Sequence, residues 1–489
     1  MLRGLWVSDK SEVSSSKITE LDSSGQFDPQ HRVNIDTLYD DVLLEIFGFC
    51  MYDNFDWGHQ CAWLQLVHVC RRWRCLIFAS PRHLDLRLFC TPRRLLNDLA
   101  IWPEFPIVIK AYETPQPQDV DNIIAVLEQP DRVCKISVEG VTRPLLEKFA
   151  KIKTPFPALK ELTLASSGED FPPIPDSFMG GFAPRLRGLW LWGLSFPSLP
   201  KLLSSAADLV NLTLWGFPHS DHTSPEAMVT CLSMLANLKS LSLGFQSPRF
   251  LDNREIRELP RTVLPSLASL FFRGDSDYLK DFMSRIDTPL LNRLSIEFLD
   301  QLESDVPLFR RLISHSTTFK TPHLADIAFS QPDVKITLFH GKGMVGHRAP
   351  RLHVSRRPLD WQQLSLVQFY NSCFPPFPTL ERLCIYEVRP LNLEWQQGPE
   401  SIQWLELLNP FPSVKDLELS AKLAQLVAPA LGALTEEGVT EVLPALQNIF
   451  IEGPRASESV QESIEKFISA RQLFGRPVTV HHRERGSWR

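Results

Sequence analysis

The pattern of apolar and polar residues near the start of the chain predicts two short helices. Residues 36–50 repeat apolar side chains at helical spacing, and Thr37 with Asp40 makes a capping-box-like start. The apolar stripe consists of Val42, Leu43, Ile46 and Phe49, widened by Leu44 and Phe47. A second helix is predicted over about residues 62–79; its apolar face consists of Leu66, Val69, Cys70, Trp73 and Ile77. Helices this short need another surface to cover their apolar faces, so we expect them to pack on the rest of the chain or on a partner.

A second pattern occupies the chain from about 130 to 480. Its unit is an apolar residue, two variable residues, an apolar residue, one variable residue and a third apolar residue. Copies begin at Leu159, Leu186, Leu209, Leu238, Leu267, Leu291, Leu324, Leu380, Val414 and Leu446, with a weaker first copy at Val133. Most starts lie roughly 23–34 residues apart, and the longer gap after Leu324 has room for a degenerate copy.

Each unit predicts a short strand whose alternate residues point inward. Helical patterns lie between several copies, at 198–206, 224–235 and 278–286. A strand and a helix at this period are typical of a solenoid with a parallel sheet on its concave side. The predicted fold class is therefore α/β, with an N-terminal helical segment followed by an irregular leucine-rich-repeat solenoid (a horseshoe) that carries a concave parallel sheet.

Composition narrows the function classes. Prolines number 39 against 22 glycines, so a chain of 489 residues must be broken into many short elements. A net charge of −6 gives no global field that favours nucleic acid or an anionic membrane, and no apolar run is long enough to span a bilayer. Nine scattered cysteines and the lack of a signal-peptide pattern favour reduced thiols. We therefore expect an intracellular protein of the cytoplasm or nucleus, without nucleic-acid or membrane partners.

The two N-terminal helices resemble the F-box, whose pattern runs L-P-x-E-L-L-x-x-I-F … V-C-x-x-W-R. The matching residues are Leu38, Asp41, Leu43, Leu44, Ile46 and Phe47, then Val69, Cys70, Arg71, Arg72, Trp73 and Arg74. Tyr39 stands where the family has proline, and the loop between the helices is longer than usual. The resemblance covers about residues 33–85, and the repeats resemble those of fungal-type F-box proteins with degenerate leucine-rich repeats.

This resemblance implies docking on a Skp-type adaptor and, through it, on a cullin scaffold. The implied adaptor-binding residues are Leu38, Leu43, Leu44, Ile46, Phe47, Leu66, Val69, Cys70 and Trp73. The alternative is that this apolar face packs on the first repeats. The implied function is that of a substrate-recognition subunit of a Skp–cullin–F-box ubiquitin ligase; the alternative is a leucine-rich-repeat scaffold with no role in ubiquitination. We expect no catalytic residues, cofactor or metal, because the chain lacks the common hydrolase, metalloprotease and nucleotide-binding motifs.

Substrate binding is assigned to variable positions of the predicted strands. Trp190 and Trp192 alternate with leucines, and Trp215 has the same repeat position as Trp192, so their rings are expected to be neighbours. Tryptophan, tyrosine and arginine are enriched in binding hot spots. The candidate residues for the protein substrate are Trp190, Trp192, Trp215, Phe271, Arg273, Arg293, Arg382 and Tyr386. The alternative is that loops or the C-terminal tail cover these side chains.

Two further groups of residues, a possible zinc site and a cluster of arginines, give weaker signals. Zinc would use His59, Cys61, His68, Cys70 and Cys75, but their apolar neighbours favour a core-facing helix. The arginines at 71, 72, 74, 93 and 94 are better explained by adaptor contacts or a solvated surface than by nucleic acid. The predicted domains are a disordered tail (1–30), the F-box-like helices (31–85), a connecting segment packed on the first repeat (86–130), the repeats (131–480) and a C-terminal tail (481–489).

Overall fold

The computed structural model of the protein describes most of the chain in separate ranges. These are residues 35–52, 62–90, 104–111, 117–149, 151–166, 173–176, 178–217, 224–246, 261–298, 322–329, 334–339, 351–356, 377–388, 401–434, 438–452 and 457–483. The predicted disordered tail (1–30) lies outside them, as does 484–489 of the predicted C-terminal tail. The chain divides into two compact units, one formed by Met1–Phe89 with Ala100–Pro106, and the other by Cys90–Leu99 with Ile107–Arg489.

The first unit is helical and begins with a single 3-10 turn. It contains α1 (Asp40–Tyr52), α2 (Ala62–Leu66) and α3 (Arg71–Ala79), and the strand β1 (Leu88–Cys90) begins in it. The prediction of one continuous helix over 62–79 is wrong, because this stretch forms two helices, α2 and α3. Cys70 has an extended backbone with φ −154°, and its sulfur accepts a hydrogen bond from the Trp73 amide at 3.4 Å, so it ends one helix segment and caps the next.

A small aromatic core holds the first unit together. Phe47 on α1 is fully buried and lies 4.7 Å from the Trp73 ring on α3, centroid to centroid. Trp63 on α2 lies 5.7 Å from Phe105 and donates its indole N–H to the Arg87 carbonyl at 3.1 Å. These contacts bury the inward-facing residues of all three helices within the unit.

The second unit contains a large sheet built from short strands. They are β2 (Ile107–Ala111), β3 (Val133–Glu139), β4 (Glu161–Ala165), β5 (Gly188–Trp192), β6 (Asn211–Phe217), β7 (Ser240–Phe245), β8 (Thr262–Val263), β9 (Ser269–Gly274), β10 (Ile286–Asp287), β11 (Arg293–Phe298), β12 (Leu324–Phe329), β13 (Val334–Phe339), β14 (Arg351–Arg356), β15 (Arg382–Glu387), β16 (Asp416–Leu419), β17 (Asn448–Glu452) and β18 (Thr479–Arg483). From β2 onward the strand order is β2-β3-β4-β5-β6-β7-β9-β11-β14-β13-β12-β15-β16-β17-β18; β8 and β10 pair separately.

Helices connect many of these strands. They are α4 (Pro117–Leu127), α5 (Arg143–Phe149), α6 (Leu199–Ser205), α7 (Pro225–Leu232), α8 (Ser276–Ser284), α9 (Ser401–Leu408), α10 (Ala421–Gly432), α11 (Gly438–Glu441) and α12 (Glu458–Leu473). The predicted helices at 198–206, 224–235 and 278–286 correspond to α6, α7 and α8. Ser224 caps α7 and Asp275 caps α8 by accepting backbone N–H groups.

The repeat pattern determines the register of the sheet. If the six positions of the unit are numbered 1 to 6, the position-4 leucines of successive repeats are direct register partners, as in Leu162, Leu189 and Leu212. At position 2 the Arg187 amide donates to the Lys160 carbonyl at 2.8 Å, and the Val210 amide donates to Arg187 at the same distance. The predicted α/β class with a large parallel sheet is therefore confirmed.

The copy predicted at Leu324 is displaced by two residues. Ala325 pairs with Leu383 and Ile327 with Ile385, so positions 4 and 6 of this repeat are Ala325 and Ile327 and its position 1 is the buried Pro322. Pro322 and Ala325 replace the large apolar residues of positions 1 and 4 here, and Leu324 resembles a first position although it lies at the third. The apolar spacing alone therefore indicated the wrong register.

The sheet is not parallel throughout. Between β11 and β12 it contains β13, which pairs antiparallel with both β12 and β14, and β14, which pairs parallel with β11. The degenerate copy expected after Leu324 does not lie between β12 and β15, because these two strands pair directly; the described residues of that stretch form β13 and β14 on the other side of β12. β2 also belongs to the sheet, parallel to β3, although no repeat was recognised before Val133.

A buried arginine ties the last helix to the preceding turn. Arg471 on α12 is fully buried, and its guanidinium donates to the carbonyls of Val439, Leu443 and Leu446 at 2.8–3.2 Å. Burial, and to a lesser extent the nearby Arg476 charge, lowers the pKa of Arg471. The carbonyl oxygens take the place of a counter-ion at this site.

Candidate functional site

The strands of the second unit present two different faces. In β4 the side chains of Leu162 and Leu164 are fully buried, whereas Glu161, Thr163 and Ala165 are only partly buried. The same alternation runs through β5, β6 and β9. We call the side that carries positions 3, 5 and 7 of the repeats the half-exposed face, position 7 being the residue after the unit. This face carries the candidate binding residues of the strands.

Aromatic residues and one arginine meet on this face in β5, β6 and β9. Trp192 and Trp215 are direct register partners at position 7 of adjacent repeats. The Trp215 ring lies 4.9 Å from the Phe271 ring, and the Arg273 guanidinium carbon lies 5.5 Å from the Trp215 centroid, within cation–π range. We call Trp192, Trp215, Phe271 and Arg273 the tryptophan–arginine cluster.

Two glycines inside strands make room for the tryptophan rings. A Cβ atom on Gly188 would lie 2.2 Å from Cη2 of Trp190, and one on Gly244 would lie 2.4 Å from Cε3 of Trp215. Both contacts are far shorter than any side chain tolerates. Each ring therefore lies against the sheet over a glycine, Trp190 over its own strand and Trp215 over the neighbouring β7.

Arg273 also approaches an acid on the next strand. Its Nε lies 3.4 Å from Oε1 of Glu297, with both side chains less than one-fifth exposed, although this Nε has no hydrogen bond of good geometry among the described residues. Arg273 and Glu297 are register partners in β9 and β11. The contact orients the guanidinium beside the Trp215 ring.

A second cluster on the same face is centred on a buried acid. The Glu418 side chain in β16 is only 1% exposed, and it forms ion pairs with Arg382 in β15 and with Arg483 in β18, the latter at 3.2 Å. The Cys384 thiol donates a hydrogen bond to Oε2 of Glu418 at 3.4 Å. We call Arg382, Cys384, Glu418 and Arg483 the Glu418 cluster.

The electrostatics of this cluster follow from burial. Burial lowers the pKa of Arg382, but the attraction of Glu418, together with smaller contributions from Cys384 and Asp416, more than offsets this, and the net pKa is raised. Burial raises the pKa of the Cys384 thiol well above its usual value, with further contributions from Asp326 and Glu418. Burial also raises the pKa of Tyr386 to about 12, again with Asp326 contributing. Cys384 is therefore a protonated thiol at neutral pH and a poor nucleophile.

Stacking closes the rest of this region. The Phe450 and His481 rings stack with centroids 4.9 Å apart, and the Arg483 guanidinium carbon lies 4.0 Å from the Phe450 centroid. Asn448 donates to the Asp416 carboxylate at 2.8 Å, and the Ser420 hydroxyl donates to Glu387. These groups are engaged within the chain, whereas the buried Nε of Arg382 has no hydrogen-bond partner among the described residues.

The predicted substrate-binding residues fall in three places. Trp190, Trp192, Trp215, Phe271 and Arg273 are brought together on strands β5 to β9. Arg293 lies at position 3 of β11, four residues before Glu297, and is partly buried. Arg382 and Tyr386 belong to β15, in or next to the Glu418 cluster. Their role in binding stays a prediction.

Sequence reasoning missed several residues that shape these sites. They are Gly188, Gly244, Cys384, Glu418, Phe450 and Arg483. The repeat register was the available signal, because Cys384, Glu418 and Phe450 follow one another at position 5 of adjacent strands. A charged residue at position 5 between leucines gives no indication by itself that it is buried.

The predicted adaptor-binding residues separate into inward and outward groups. Leu43 and Phe47 are fully buried in the first unit. Leu38, Leu44, Ile46, Leu66, Cys70 and Trp73 are partly buried. Val69 is 59% exposed. The structure contains no adaptor, so binding through any of them stays a prediction.

One side of α1 exposes apolar residues at helical spacing. Tyr39, just before the helix, and Val42 and Phe49 within it are 82%, 43% and 70% exposed, and Ile46 is half-buried between them. These positions follow the i, i+3, i+7 and i+10 spacing of one helix side. We call Tyr39, Val42, Ile46 and Phe49 the outward stripe of α1.

The weaker metal candidates are not brought together in the described part of the chain. His59 and Cys61 lie outside the described residues, His68 is exposed, and Cys70 caps α3. Among described residues no group of three or more histidine, cysteine and acidic side chains is placed to hold a metal ion. Arg93 and Arg94 also lie outside the described residues. No helix within the described ranges is long and apolar enough to cross a membrane.

Comparison with known proteins gives likenesses among solved structures only. No protein-family model matches the chain, the F-box included, and no curated protein matches its sequence. Among solved structures the chain is similar to the leucine-rich repeat-containing protein LegL7 from Legionella pneumophila, with 12% identity, a TM-score of 0.27, and coverage of 68% of this chain and 97% of that chain. A likeness at this TM-score carries no argument, so the evidence for a repeat architecture is the register of the strands themselves.

Proposed function

We propose that this protein is a protein-binding receptor and, more specifically, the substrate-recognition subunit of a Skp–cullin–F-box ubiquitin ligase. The first unit would dock on a Skp-type adaptor, and the half-exposed face of the sheet would bind a protein substrate. The chain would supply proximity rather than catalytic groups, holding the substrate near a ubiquitin-loaded enzyme.

The outward stripe of α1 is the observation that carries the adaptor half of the proposal. Phe49 and Tyr39 expose most of their surface to solvent, which is costly for a helix that already has a buried opposite side. Apolar residues at this spacing suit a groove that accepts one side of a helix. Covering such side chains is worth roughly 1.5–3 kcal/mol each before ordering costs. The V-C-R-R-W-R string at 69–74 adds the F-box resemblance to this physical argument.

A pull-down of the full chain with a purified Skp-type adaptor tests this half. Val42→Asp combined with Phe49→Asp is expected to abolish capture, because both residues lie in the outward stripe while the buried Leu43 and Phe47 keep the unit folded. Leu473→Asp is the matched control, since Leu473 is 87% exposed but belongs to α12. Capture of the double variant at the wild-type level would contradict the proposal, provided that both variants melt like the wild type.

The alternative is a protein-binding scaffold without a role in ubiquitination. The tryptophan–arginine cluster favours binding of a protein under either function, because it does not depend on the first unit. Co-precipitation of a cullin together with the adaptor separates the two. If the adaptor is captured without a cullin under conditions where a known receptor captures both, the scaffold function is supported.

A further inference from the structure

Strands β4 to β7 carry exposed basic residues at the ends opposite to the tryptophans. Lys160, Arg187 and Lys239 occupy position 2 of their repeats and are all exposed. The backbone ladder at position 2 places Arg187 next to Lys160, and Lys239 one strand beyond Val210. Since neighbouring strands are about 4.8 Å apart, these cations form a row across the N-terminal ends of the strands. We call Lys160, Arg187 and Lys239 the basic row.

The basic row lacks counter-ions within the chain. None of its three side chains forms an ion pair with another described residue. Glu161, the nearest acid along β4, pairs instead with Lys135. Asp208, an exposed acid two residues before Val210, is the one acid near the middle of the row. The row therefore retains an excess of positive charge that is available to a partner.

The same repeat position is neutralised elsewhere in the sheet. Lys415 occupies position 2 before β16, and its ammonium lies 2.9 Å from the Glu381 carboxylate, which occupies position 2 before β15. Adjacent strands can thus satisfy a position-2 cation internally when the neighbour supplies an acid. At position 2 the repeats of β4 to β7 carry three cations and one valine (Val210), and no acid.

The tryptophans lie at a fixed distance from the basic row. Arg187 immediately precedes β5 and Trp192 ends it five residues later, a span of about 17 Å at 3.3–3.4 Å per residue of extended backbone. An extended peptide lying along β5 and β6 would cover this distance with about five residues. Its anionic end would reach Arg187 and Lys160, and an apolar side chain at the other end would reach Trp192 and Trp215.

From these observations we infer that the half-exposed face over β4 to β7, together with the basic row at the start of these strands, binds an extended acidic peptide segment of a partner, in which carboxylates and a large apolar residue are separated by about five residues. The carboxylates contact the basic row, and the apolar residue packs on Trp192 and Trp215. The inference deepens the proposed function, because it names the kind of segment that the substrate would present. It depends on that function only in that the face binds a protein.

Carboxylates fit the row better than a nucleic-acid backbone does. The chain carries a net charge of −6, and the Glu418 cluster and the Lys415–Glu381 pair leave no further strip of unpaired cations beside the described part of β15 to β17. A bound polynucleotide would need such a strip to continue. A short acidic peptide needs only the few cations that are present.

Selection from a random peptide library tests the inference. Phage-displayed peptides of about twelve residues are selected on the immobilised full chain and on a charge-reversed variant, Lys160→Glu with Arg187→Glu and Lys239→Glu. We expect enriched sequences with two or more acidic residues and an aromatic or aliphatic residue four to six positions away. The charge-reversed variant should lose that class of sequence.

Synthetic peptides of the enriched sequence give the quantitative test. Measured by fluorescence anisotropy, binding should weaken at least about tenfold on charge reversal and again between low and moderate salt. Trp192→Ala with Trp215→Ala should weaken it at least about tenfold without the salt dependence changing. Circular dichroism melts of all variants establish that the sheet is intact.

Several outcomes would overturn the inference. These are no enrichment over an uncoated surface, an enriched consensus without acidic residues, or charge reversal that changes the affinity less than about twofold. Binding only after a phosphoserine replaces the acidic residue would assign the row to phosphate instead. Displacement of the peptide by a mixed-sequence single-stranded oligonucleotide at lower concentration would assign it to nucleic acid.

The result is separable from that of the adaptor experiment. The charge-reversed variant leaves α1 unchanged, so it should still capture the Skp-type adaptor. Conversely, Val42→Asp with Phe49→Asp should leave peptide binding unchanged. If the wild-type protein does not capture the adaptor, the ubiquitin-ligase function is contradicted, but the inferred peptide site is not affected.

Discussion

The half-exposed face of the sheet has two regions that resemble each other in composition and differ in how their charges are satisfied. Strands β4 to β9 carry tryptophans, phenylalanine and arginine, and strands β15 to β18 carry phenylalanine, tyrosine, histidine and two arginines. In the first region Arg273 has one long contact to Glu297, and the basic row has no ion pair among described residues. In the second region Arg382 and Arg483 converge on Glu418, whose side chain is almost completely buried.

In the second region the charged side chains pair with one another, whereas in the first region several cations have no ion pair among the described residues. Aromatic and arginine residues are enriched in binding hot spots, yet the same residues stabilise a fold when they satisfy one another. The ion pair of Arg382 with Glu418 therefore gives this arginine a structural explanation that the basic row lacks. The comparison predicts that substitutions in the Glu418 cluster change mainly stability, whereas those in the basic row change mainly binding.

Thiol labelling should show the largest contrast between the two regions. Thr213 occupies position 5 in β6, the position of Cys384 in β15. We expect Cys384 to react with iodoacetamide about a thousandfold or more slowly than a cysteine placed by Thr213→Cys, because Cys384 is buried and its thiol stays protonated. Its pKa is raised, so its reactivity should increase only at pH values well above the usual thiol range.

Mass spectrometry of labelled peptides at pH 8 provides the measurement. The exposed Cys50 and Cys75 serve as internal references for a fully accessible thiol. Rapid labelling of Cys384 in folded protein would show that the Glu418 cluster opens readily and would remove the basis of the comparison.

Neutralising the central acid should give the next largest effect. Glu418→Gln leaves Arg382 and Arg483 without their shared counter-charge, and we expect it to lower the free energy of unfolding by about 1.5–3 kcal/mol. Both arginines are about one-third exposed or more, so solvent screening keeps the loss below that of a fully buried pair. Glu297→Gln is the matched control in the other region and should cost less than about 1 kcal/mol.

Urea unfolding followed by circular dichroism compares the two variants. Equal losses for Glu418→Gln and Glu297→Gln would mean that the two acids have similar roles. The distinction between a closed and an open region would then be wrong.

The strand pattern could be predicted from the sequence because leucines at a fixed spacing are most stable when all of them are buried on one side of the sheet. The position-4 leucines of β4 to β9 are all buried and mutually in register, as the pattern required. The pattern failed where the side chains became small. Pro322 and Ala325 occupy positions 1 and 4, where the other repeats carry a larger apolar residue, and Leu324 offered a better match to the motif at the wrong register. The antiparallel strand β13 has no leucine repeat that would reveal its direction.

The sites were less predictable because they depend on contacts between distant parts of the chain. The equal repeat position of Trp192 and Trp215 predicted that they are neighbours. The role of Gly244 could not be predicted, because it depends on which strand the Trp215 ring lies over. Burial of Glu418 depends on Arg483, which is 65 residues away in sequence. On α1 the periodicity grouped Leu43 and Phe49 in one wide stripe, and only the packing of Trp73 showed which residues face inward.

Filling the space under a tryptophan ring should give a smaller and local effect. Gly244→Ala places a methyl group where the Trp215 ring lies, so the ring must move away from Phe271 and Arg273. We expect a loss of about 1–2 kcal/mol, at the low end of the overpacking range, because the ring is half-exposed and can swing outward. Tryptophan fluorescence should shift to longer wavelength.

Gly48→Ala is the control for this substitution. A Cβ on Gly48 meets nothing within 4 Å, and the position lies within helix α1, so the variant should be as stable as the wild type or slightly more stable. An unchanged fluorescence spectrum for Gly244→Ala would show that Trp215 does not lie over β7 in solution.

The smallest effect on stability is expected where binding should change most. Lys160 and Arg187 are exposed and have no ion pair among the described residues, so Lys160→Glu with Arg187→Glu should alter the free energy of unfolding by less than about 0.5 kcal/mol. Lys415→Glu is the matched control at the same repeat position, because it replaces the Lys415–Glu381 pair with two like charges on adjacent strands. It should cost measurably more, about 0.5–1 kcal/mol. Urea unfolding of the two variants at low salt decides the matter. A basic row that tolerates charge reversal without loss of stability is one that the fold itself does not use, whereas a loss equal to that of Lys415→Glu would mean that the row is already neutralised within the chain and is not available to an acidic partner.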